Sequence, residues 1–257
     1  MGINTIGRWI EDNRHIFHES DMRYLIKNVK SLDRLNEARD LYQKGVPLAY
    51  IIGKEEFFGM EFKVNTDVLI PRCETELIVE KTLEVIKRNN YKNILDLCCG
   101  SGNVSVVLKK HLKNNCTVYA SDISLKALIV ANDNAKCHGQ KVDFINCDLL
   151  TSFKKCYFDI IIANPPYVAP EDIKGSVKYE PRGALEAENK GFCFIKRIIK
   201  EAHLYLNNKG SLIIEIGYNH KEALERLIEA SGAYTLVEWV KDYSGHYRGA
   251  VLKKWIN

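Results

Sequence analysis

The chain has 257 residues, 46% of them hydrophobic, and 37 Lys and Arg against 33 Asp and Glu leave a formal net charge of +4. Single cores stop growing near roughly 250 to 300 residues, so this length predicts one catalytic domain with a small appendage. The near balance of charge lacks the basic footprint of a dedicated nucleic-acid binder, no apolar run approaches the ~20 residues that span a bilayer, and Met1 to Ile10 followed by Glu11 and Asp12 is no secretion signal, so a cytoplasmic protein without membrane contact is expected.

In chain order, the N-terminal stretch shows helical spacing, as in Leu32, Leu35, Ala38, Leu41 and Tyr42, preceded by Ser31 and closed by Gly45 and Pro47. A small helical domain over residues 1–53 is expected, with a role in substrate recognition. From Glu55 to Ile70 aromatic and β-branched residues cluster around Gly59 and Asn65, which predicts a linking β-hairpin within 54–72, stopped by Pro71. Beyond it, over 73–257, strands and helices alternate. Helices are expected at Glu74 to Arg88, Asn103 to Leu112, Leu125 to Ala135, Phe192 to Leu206 and Lys221 to Ala230. Strands are expected at Asn93 to Leu97, Thr117 to Ser121, Val142 to Asn146, Phe158 to Ala163 and Ser211 to Ile216. This is an α/β, doubly wound, mostly parallel sheet, which binds ligands at the carboxyl ends of its strands. Two last apolar segments, Tyr234 to Val240 and Ala250 to Trp255, can pair as an antiparallel hairpin, a variant that favours a methyltransferase over a dehydrogenase.

Eight cysteines stand at 73, 98, 99, 116, 137, 147, 156 and 193, and no pair has Cys-x-x-Cys spacing. Free thiols are expected, with no metal site.

The first strand of the alternating region runs into Cys98-Cys99-Gly100-Ser101-Gly102-Asn103. Gly100 and Gly102 suit a tight turn before a helix N-terminus, and Asp122 follows at the end of the second strand, where a carboxylate can accept both ribose hydroxyls of an adenosine cofactor. That spacing fits NAD and S-adenosylmethionine alike. Asp96 beside the loop, and the absence of G-x-G-x-x-G, disfavour a diphosphate and favour the sulfonium cofactor. Asp148 and Leu149 are placed to border the adenine, although Asp148 serves equally well as a turn or helix cap.

The fourth strand ends in Asn164-Pro165-Pro166-Tyr167. An amide or exocyclic amino nitrogen is a poor nucleophile because its lone pair is delocalised, so an enzyme that methylates it must hold it in one orientation. The Asn164 side-chain carbonyl and the Pro165 backbone carbonyl can accept its two N–H groups, the prolines restrict the backbone, and Tyr167 offers a flat face for stacking. Asn164, Pro165 and Tyr167 are the candidate catalytic residues. With Pro166 they form the candidate substrate site. Asp96, Cys98, Cys99, Gly100, Ser101, Gly102, Asp122, Asp148, Leu149 and Asn164 form the candidate cofactor site.

With these segments in place, the chain resembles the PrmC/HemK family, the N5-glutamine methyltransferases of peptide chain release factors. The resemblance runs from about Gly45 and rests on Gly45 to Gly53, Val68-Leu69-Ile70-Pro71-Arg72 with Glu74-Thr75-Glu76, the loop at 96–102, Asp122, Asn164 to Tyr167, Tyr179-Glu180-Pro181 with Ala184-Leu185, and Lys241-Asp242 with Gly245 and Arg248. The Asn-Pro-Pro-Tyr run alone is shared with amino methyltransferases of DNA and RNA. The resemblance implies a class I S-adenosylmethionine methyltransferase, with a Rossmann-like sheet, that acts as a monomer on the glutamine of a Gly-Gly-Gln loop in a release factor. It also implies that the N-terminal helices and the hairpin help grip that partner. Departures are Cys98 where the family's loop begins with glycine, Cys73 where proline follows Pro-Arg, Leu149 in place of an aromatic, and a shorter N-terminal region. Methylation of a ribosomal-protein glutamine, methylation of a nucleic-acid base amino group, and a non-catalytic nucleotide-binding adaptor are the competing readings. Direct nucleic-acid contact is not expected at this charge.

Overall fold

The computed structural model describes residues 3–187 and 191–255; the outermost residues of the first and last expected units, 1–2 and 256–257, lie outside it. Four helices open the chain: α1 (Ile3–Asn13), α2 (Glu19–Asn28), α3 (Leu32–Gln43) and α4 (Leu48–Ile52). Ser31 caps α3 by accepting from the Arg34 amide at 3.2 Å, and Gly53, at φ 84°, ends α4 in the left-handed region. Trp9, Phe17, Met22, Leu25, Leu35 and Ala38 form an apolar cluster of their own among these helices.

A hairpin of β1 (Lys54–Phe57) and β2 (Met60–Lys63) follows. Its two turn residues, Phe58 and Gly59, both have positive φ (54° and 66°), the two-residue turn whose twist matches that of the strands. The expected hairpin extended to Ile70, but pairing stops at Lys63. The Asn65 side chain accepts from the Asp67 amide at 2.9 Å, and this local turn replaces a ladder. Phe57 and Phe62 bury completely against the main core, so the hairpin is packed into the larger unit.

The larger unit comprises α5 (Cys73–Asn89), β3 (Asn93–Leu97), α6 (Asn103–Leu112), β4 (Thr117–Asp122), α7 (Leu125–Cys137), β5 (Asp143–Asn146), β6 (Phe158–Ala163), α8 (Arg182–Leu185), α9 (Cys193–Tyr205), β7 (Leu206–Glu215), α10 (Lys221–Ser231), β8 (Tyr234–Lys241) and β9 (Tyr247–Lys254). The seven strands lie in the order β5-β4-β3-β6-β7-β9-β8, parallel from β5 to β7, with β9 antiparallel to both of its neighbours. Both faces are covered, which explains the nearly continuous apolar runs of β3 and β6. Ile94, Ile160, Ile162 and Ile213 face α5 and α6, while Leu95, Leu97, Ile161, Leu212 and Ile214 face α9 and α10. Among the described residues no helix is long and apolar enough to cross a membrane.

One buried polar side chain ties hairpin, helix and loop together. Asn134 on α7 accepts from the Lys63 amide at 2.8 Å and donates to the Lys63 carbonyl at 3.0 Å and the Ser101 carbonyl at 2.9 Å. Asn134→Ala would strand three backbone groups away from water. It is expected to destabilise the protein by roughly 2 to 4 kcal/mol in urea unfolding, and a loss below about 0.5 kcal/mol would show these bonds to be dispensable.

Candidate active site

The parallel register brings four strand ends to one rim: Leu97 pairs with Ser121 and with Ala163, and Ala163 pairs with Ile214. The loop after β3, Asp122 at the end of β4, Asn164 after β6 and Glu215 at the end of β7 therefore meet along one edge.

The loop after β3 is held by bonds within itself and from β4 and α7. The Cys99 amide donates to the Ser121 carbonyl at 3.0 Å and the Gly102 amide to the Cys99 carbonyl at 2.8 Å. Asp122 secures both sides of the rim: Oδ2 accepts from the Gly100 amide and Oδ1 from the Ser124 amide, each at 2.9 Å. Burial raises the Asp122 pKa, and these backbone bonds draw it back. Each oxygen keeps a lone pair for a ligand. Cys98 has φ 59° and Leu149 has φ 48°, so two side-chain-bearing residues occupy left-handed backbone at this site. Gly102, at φ 75°, permits a close approach, since a Cβ there would lie 2.9 Å from Ala131 Cβ.

Asp96 is almost fully buried and accepts from the Ser105 amide in the first turn of α6 at 3.0 Å. In dinucleotide folds that helix N-terminus receives phosphate; here the protein's own carboxyl fills it. Burial pushes the Asp96 pKa up to about 7, against the opposing pull of the Ser105 bonds, so its negative charge is held less firmly than the sequence suggests.

Between the rim and a roof lies a cavity of about 310 Å³. Of the expected site residues, Asp96, Cys98, Cys99, Gly100, Ser101, Asp122, Asp148, Leu149, Asn164 and Pro166 line it. Gly102, Pro165 and Tyr167 do not: Gly102 packs on α7, Pro165 is buried, and the Tyr167 hydroxyl donates to Glu215 Oε1 at 2.9 Å with its ring edge-on to His220. Asp148 is engaged from outside by Arg197, at 2.8 and 3.2 Å.

The roof comprises Leu69, Pro71, Arg72, Pro181, Gly183 and Ala184. Glu180, nearly fully buried, binds its two halves together by pairing with the Arg72 guanidinium and accepting from the Ile70 amide at 3.1 Å. The N-terminal helices reach the same roof, as Tyr50 donates to the Val68 carbonyl and Tyr179 to the Lys44 carbonyl, each at 2.7 Å.

Two residues escaped the sequence reading, one in the cavity wall and one behind it. Thr75, on the first turn of α5, accepts from Asn164 Nδ2 at 3.3 Å, and Glu215 receives Tyr167. The signal for Glu215 was available, because a lone acid in the apolar run Leu212-Ile213-Ile214-Glu215-Ile216 needs a buried partner.

The lining tests the cofactor. Four acids (Asp67, Asp96, Asp122 and Asp148) face the cavity against one cation, Arg72, already paired with Glu180. Val68, Val104, Ile123, Leu149 and Phe194 supply apolar walls. A diphosphate finds no free cation and an occupied helix N-terminus; a nucleoside carrying a sulfonium and an amino group fits the donor set.

Strand order, cavity and lining define a methyltransferase of the class built on this seven-stranded sheet. The methyltransferase small domain family matches residues 75–180. Release factor glutamine methyltransferases from Clostridium botulinum and Bacillus subtilis are 33% and 39% identical, covering 97% and 84% of this chain and 90% and 78% of their own. A ribosomal protein L11 methylase from Lactobacillus delbrueckii subsp. bulgaricus shares the fold at TM-score 0.54, with 17% identity over 79% of this chain and 89% of that one. The chain belongs to the release factor glutamine methyltransferase family.

The Asp96 and Glu215 carboxyls have pKa values raised to about 7 by burial, with hydrogen bonds opposing. Unfolded, both return to about 4, so between the two values the native protein holds protons that the unfolded chain has released. Stability of the ligand-free protein should fall as pH rises from about 5.5 to about 7.5, by up to ~1.4 kcal/mol per pH unit for each group. Urea unfolding across that range should show a shallower decline in Asp96→Asn; an unchanged slope would refute the assignment.

Proposed function

We propose that this chain transfers a methyl group from S-adenosylmethionine to the side-chain amide nitrogen of the glutamine in the Gly-Gly-Gln loop of a peptide chain release factor. The observation that supports it best is the orientation of Asn164. Its NH2 group donates to Thr75 Oγ1 and, among the described residues, none donates to its Oδ1. The side chain therefore presents an acceptor to the cavity it lines, as a nitrogen with N–H groups to be held requires.

The chain's own residues would divide the work. Asn164 Oδ1 and the Pro165 carbonyl hold the amide N–H groups, restricting the nitrogen to one plane, and both interactions strengthen as positive charge develops there. Pro165 and Pro166 are both buried, so these acceptors need little reorganisation. Tyr167 is fixed through its hydroxyl to Glu215 and holds the end of the Asn164-Pro165-Pro166 segment in place. Asp122 and the loop at 98–102 hold the nucleoside, Asp96 and the other acids favour its cationic end, and Leu149 with Ile123 borders the base. When bound, the cofactor supplies a methyl group already activated on sulfur, so the site needs orientation and exclusion of water more than a strong base.

The N-terminal helices and the hairpin lie beside the roof through Tyr50 and Tyr179, which supports a part in gripping a protein substrate. The formal charge of +4 supports action on protein without direct nucleic-acid contact, and we take the enzyme to be a cytoplasmic monomer.

Incubation with a release factor and isotopically labelled cofactor should add one methyl group to the Gly-Gly-Gln peptide, mapped by mass spectrometry; an unmodified peptide, with label on a ribosomal protein or on nucleic acid, would reject the assignment. Asn164→Ala should lower kcat by about a hundredfold with cofactor affinity nearly unchanged. Asp122→Ala should chiefly weaken cofactor binding, read by calorimetry, because it removes a ligand acceptor and unties the Gly100 and Ser124 amides.

A further inference from the structure

Behind the acceptor face of Asn164 lies a second layer of polar groups. Thr75 and Glu215 are 2% and 1% exposed, so each needs a reason to be inside an apolar sheet edge. Thr75 Oγ1 receives the Asn164 NH2 group at 3.3 Å, and Glu215 Oε1 receives the Tyr167 hydroxyl at 2.9 Å. Glu215 Oε2 has no hydrogen-bond partner among the described residues. Burial raises the Glu215 pKa and the nearby hydroxyls of Thr75 and Tyr167 draw it back, but of these two only Tyr167 stands in hydrogen-bond geometry with the carboxylate.

These contacts bear on a choice that Asn164 cannot make alone. A carboxamide can turn over and present either its oxygen or its NH2 group, and the two faces are nearly the same shape. Only the oxygen can hold an N–H of the substrate. A hydroxyl can also serve either way, as donor or acceptor. At Thr75 the hydroxyl oxygen stands as acceptor to the Asn164 NH2 group.

We propose that Thr75 and Glu215 are positioning residues for methyl transfer: Thr75 Oγ1 receives the Asn164 NH2 group and so leaves the Asn164 oxygen as the acceptor for the substrate nitrogen, while the Glu215 carboxylate receives the Tyr167 hydroxyl and fixes the far end of the same segment. Both side chains of the Asn-Pro-Pro-Tyr segment are thus held from behind by buried polar groups. The inference rests on the amide-methylation reading above. Its pH dependence follows from the groups that face Glu215: Tyr167 after β6, with His220 against its ring, Glu74 on the first turn of α5, and Arg248 on β9, itself paired with Asp242. With the Glu215 pKa raised to about 7 by burial, against the pull of the hydroxyls, protonation on acidification weakens its hold on the Tyr167 hydroxyl and kcat falls.

The test compares Thr75→Val, which keeps the shape, with Thr75→Ser, which keeps the hydroxyl. In release factor methylation, Thr75→Val should lower kcat about tenfold or more, with the cofactor dissociation constant within about threefold of wild type, and Thr75→Ser should recover most of kcat. Glu215→Gln should lower kcat and abolish the acidic limb of its pH profile. Thr75→Val at wild-type kcat, Thr75→Ser as impaired as Thr75→Val, or an unchanged pH profile in Glu215→Gln would overturn the proposal. A second measurement needs no substrate: in 15N-labelled protein the Asn164 side-chain amide resonances should shift and exchange faster in Thr75→Val but not in Thr75→Ser, and resonances that stay in place would also overturn it. A wild-type enzyme that leaves the release factor unmethylated would defeat the proposed function, while the Asn164 resonances would still decide the positioning role.

Discussion

The structure depends on one constraint, the common direction and register of β3, β4, β6 and β7. Because Leu97 stands beside Ala163, and Ala163 beside Ile214, four strands deliver their carboxyl ends to a single rim. Burial of both sheet faces keeps that alignment. A one-residue slip of β6 would exchange the side chains facing α5 and α6 for those facing α9 and α10, and every buried isoleucine resists it. A rim held this firmly can carry conformations that are unfavourable by themselves, such as the left-handed Cys98 and Leu149, because the surrounding bonds leave the chain no other path.

On that rim, polar groups act by occupying one another. Asp96 takes the α6 amide that would otherwise bind an anion, Asp122 takes one amide on each side of the cavity, Glu180 takes Arg72, and Thr75 takes the NH2 of Asn164. What remains uncommitted is a set of acceptors, which suits a cationic nucleoside and a nitrogen bearing hydrogens. Selectivity here arises from hydrogen-bond donors being withdrawn as much as from acceptors being supplied.

The N-terminal helices and the hairpin join this arrangement through a few specific hydrogen bonds. Glu76 accepts from the Phe58 amide at the hairpin turn, Asn134 holds both backbone groups of Lys63, and the same asparagine holds Ser101 in the loop after β3. The hairpin is thus connected through a single side chain to the loop that borders the cavity. Tyr50 and Tyr179 attach the helices to the roof.

The order of elements, the paired final strands and the two segments at the rim were legible from local pattern alone. Runs such as Asn93 to Leu97 and Phe158 to Ala163 carry their own periodicity and stop signals, and Asn-Pro-Pro-Tyr is unusual enough to mark a strand end as a site. The hairpin's early end at Lys63 was not, since the Asn65 side chain competes for the backbone in a way that the β-like composition of 64–70 conceals. Nor was the charge state of Asp96, which burial and not residue type sets. Residue chemistry singled out Tyr167 and Asn164, but their hydrogen-bond partners stand 48 and 89 residues away along the chain, at Glu215 and Thr75. Sequence by itself determined which segments would reach the rim, because periodicity is local; only the tertiary structure decided which of their side chains enter the site and which way they face, because orientation is fixed by neighbours that the chain supplies from other elements.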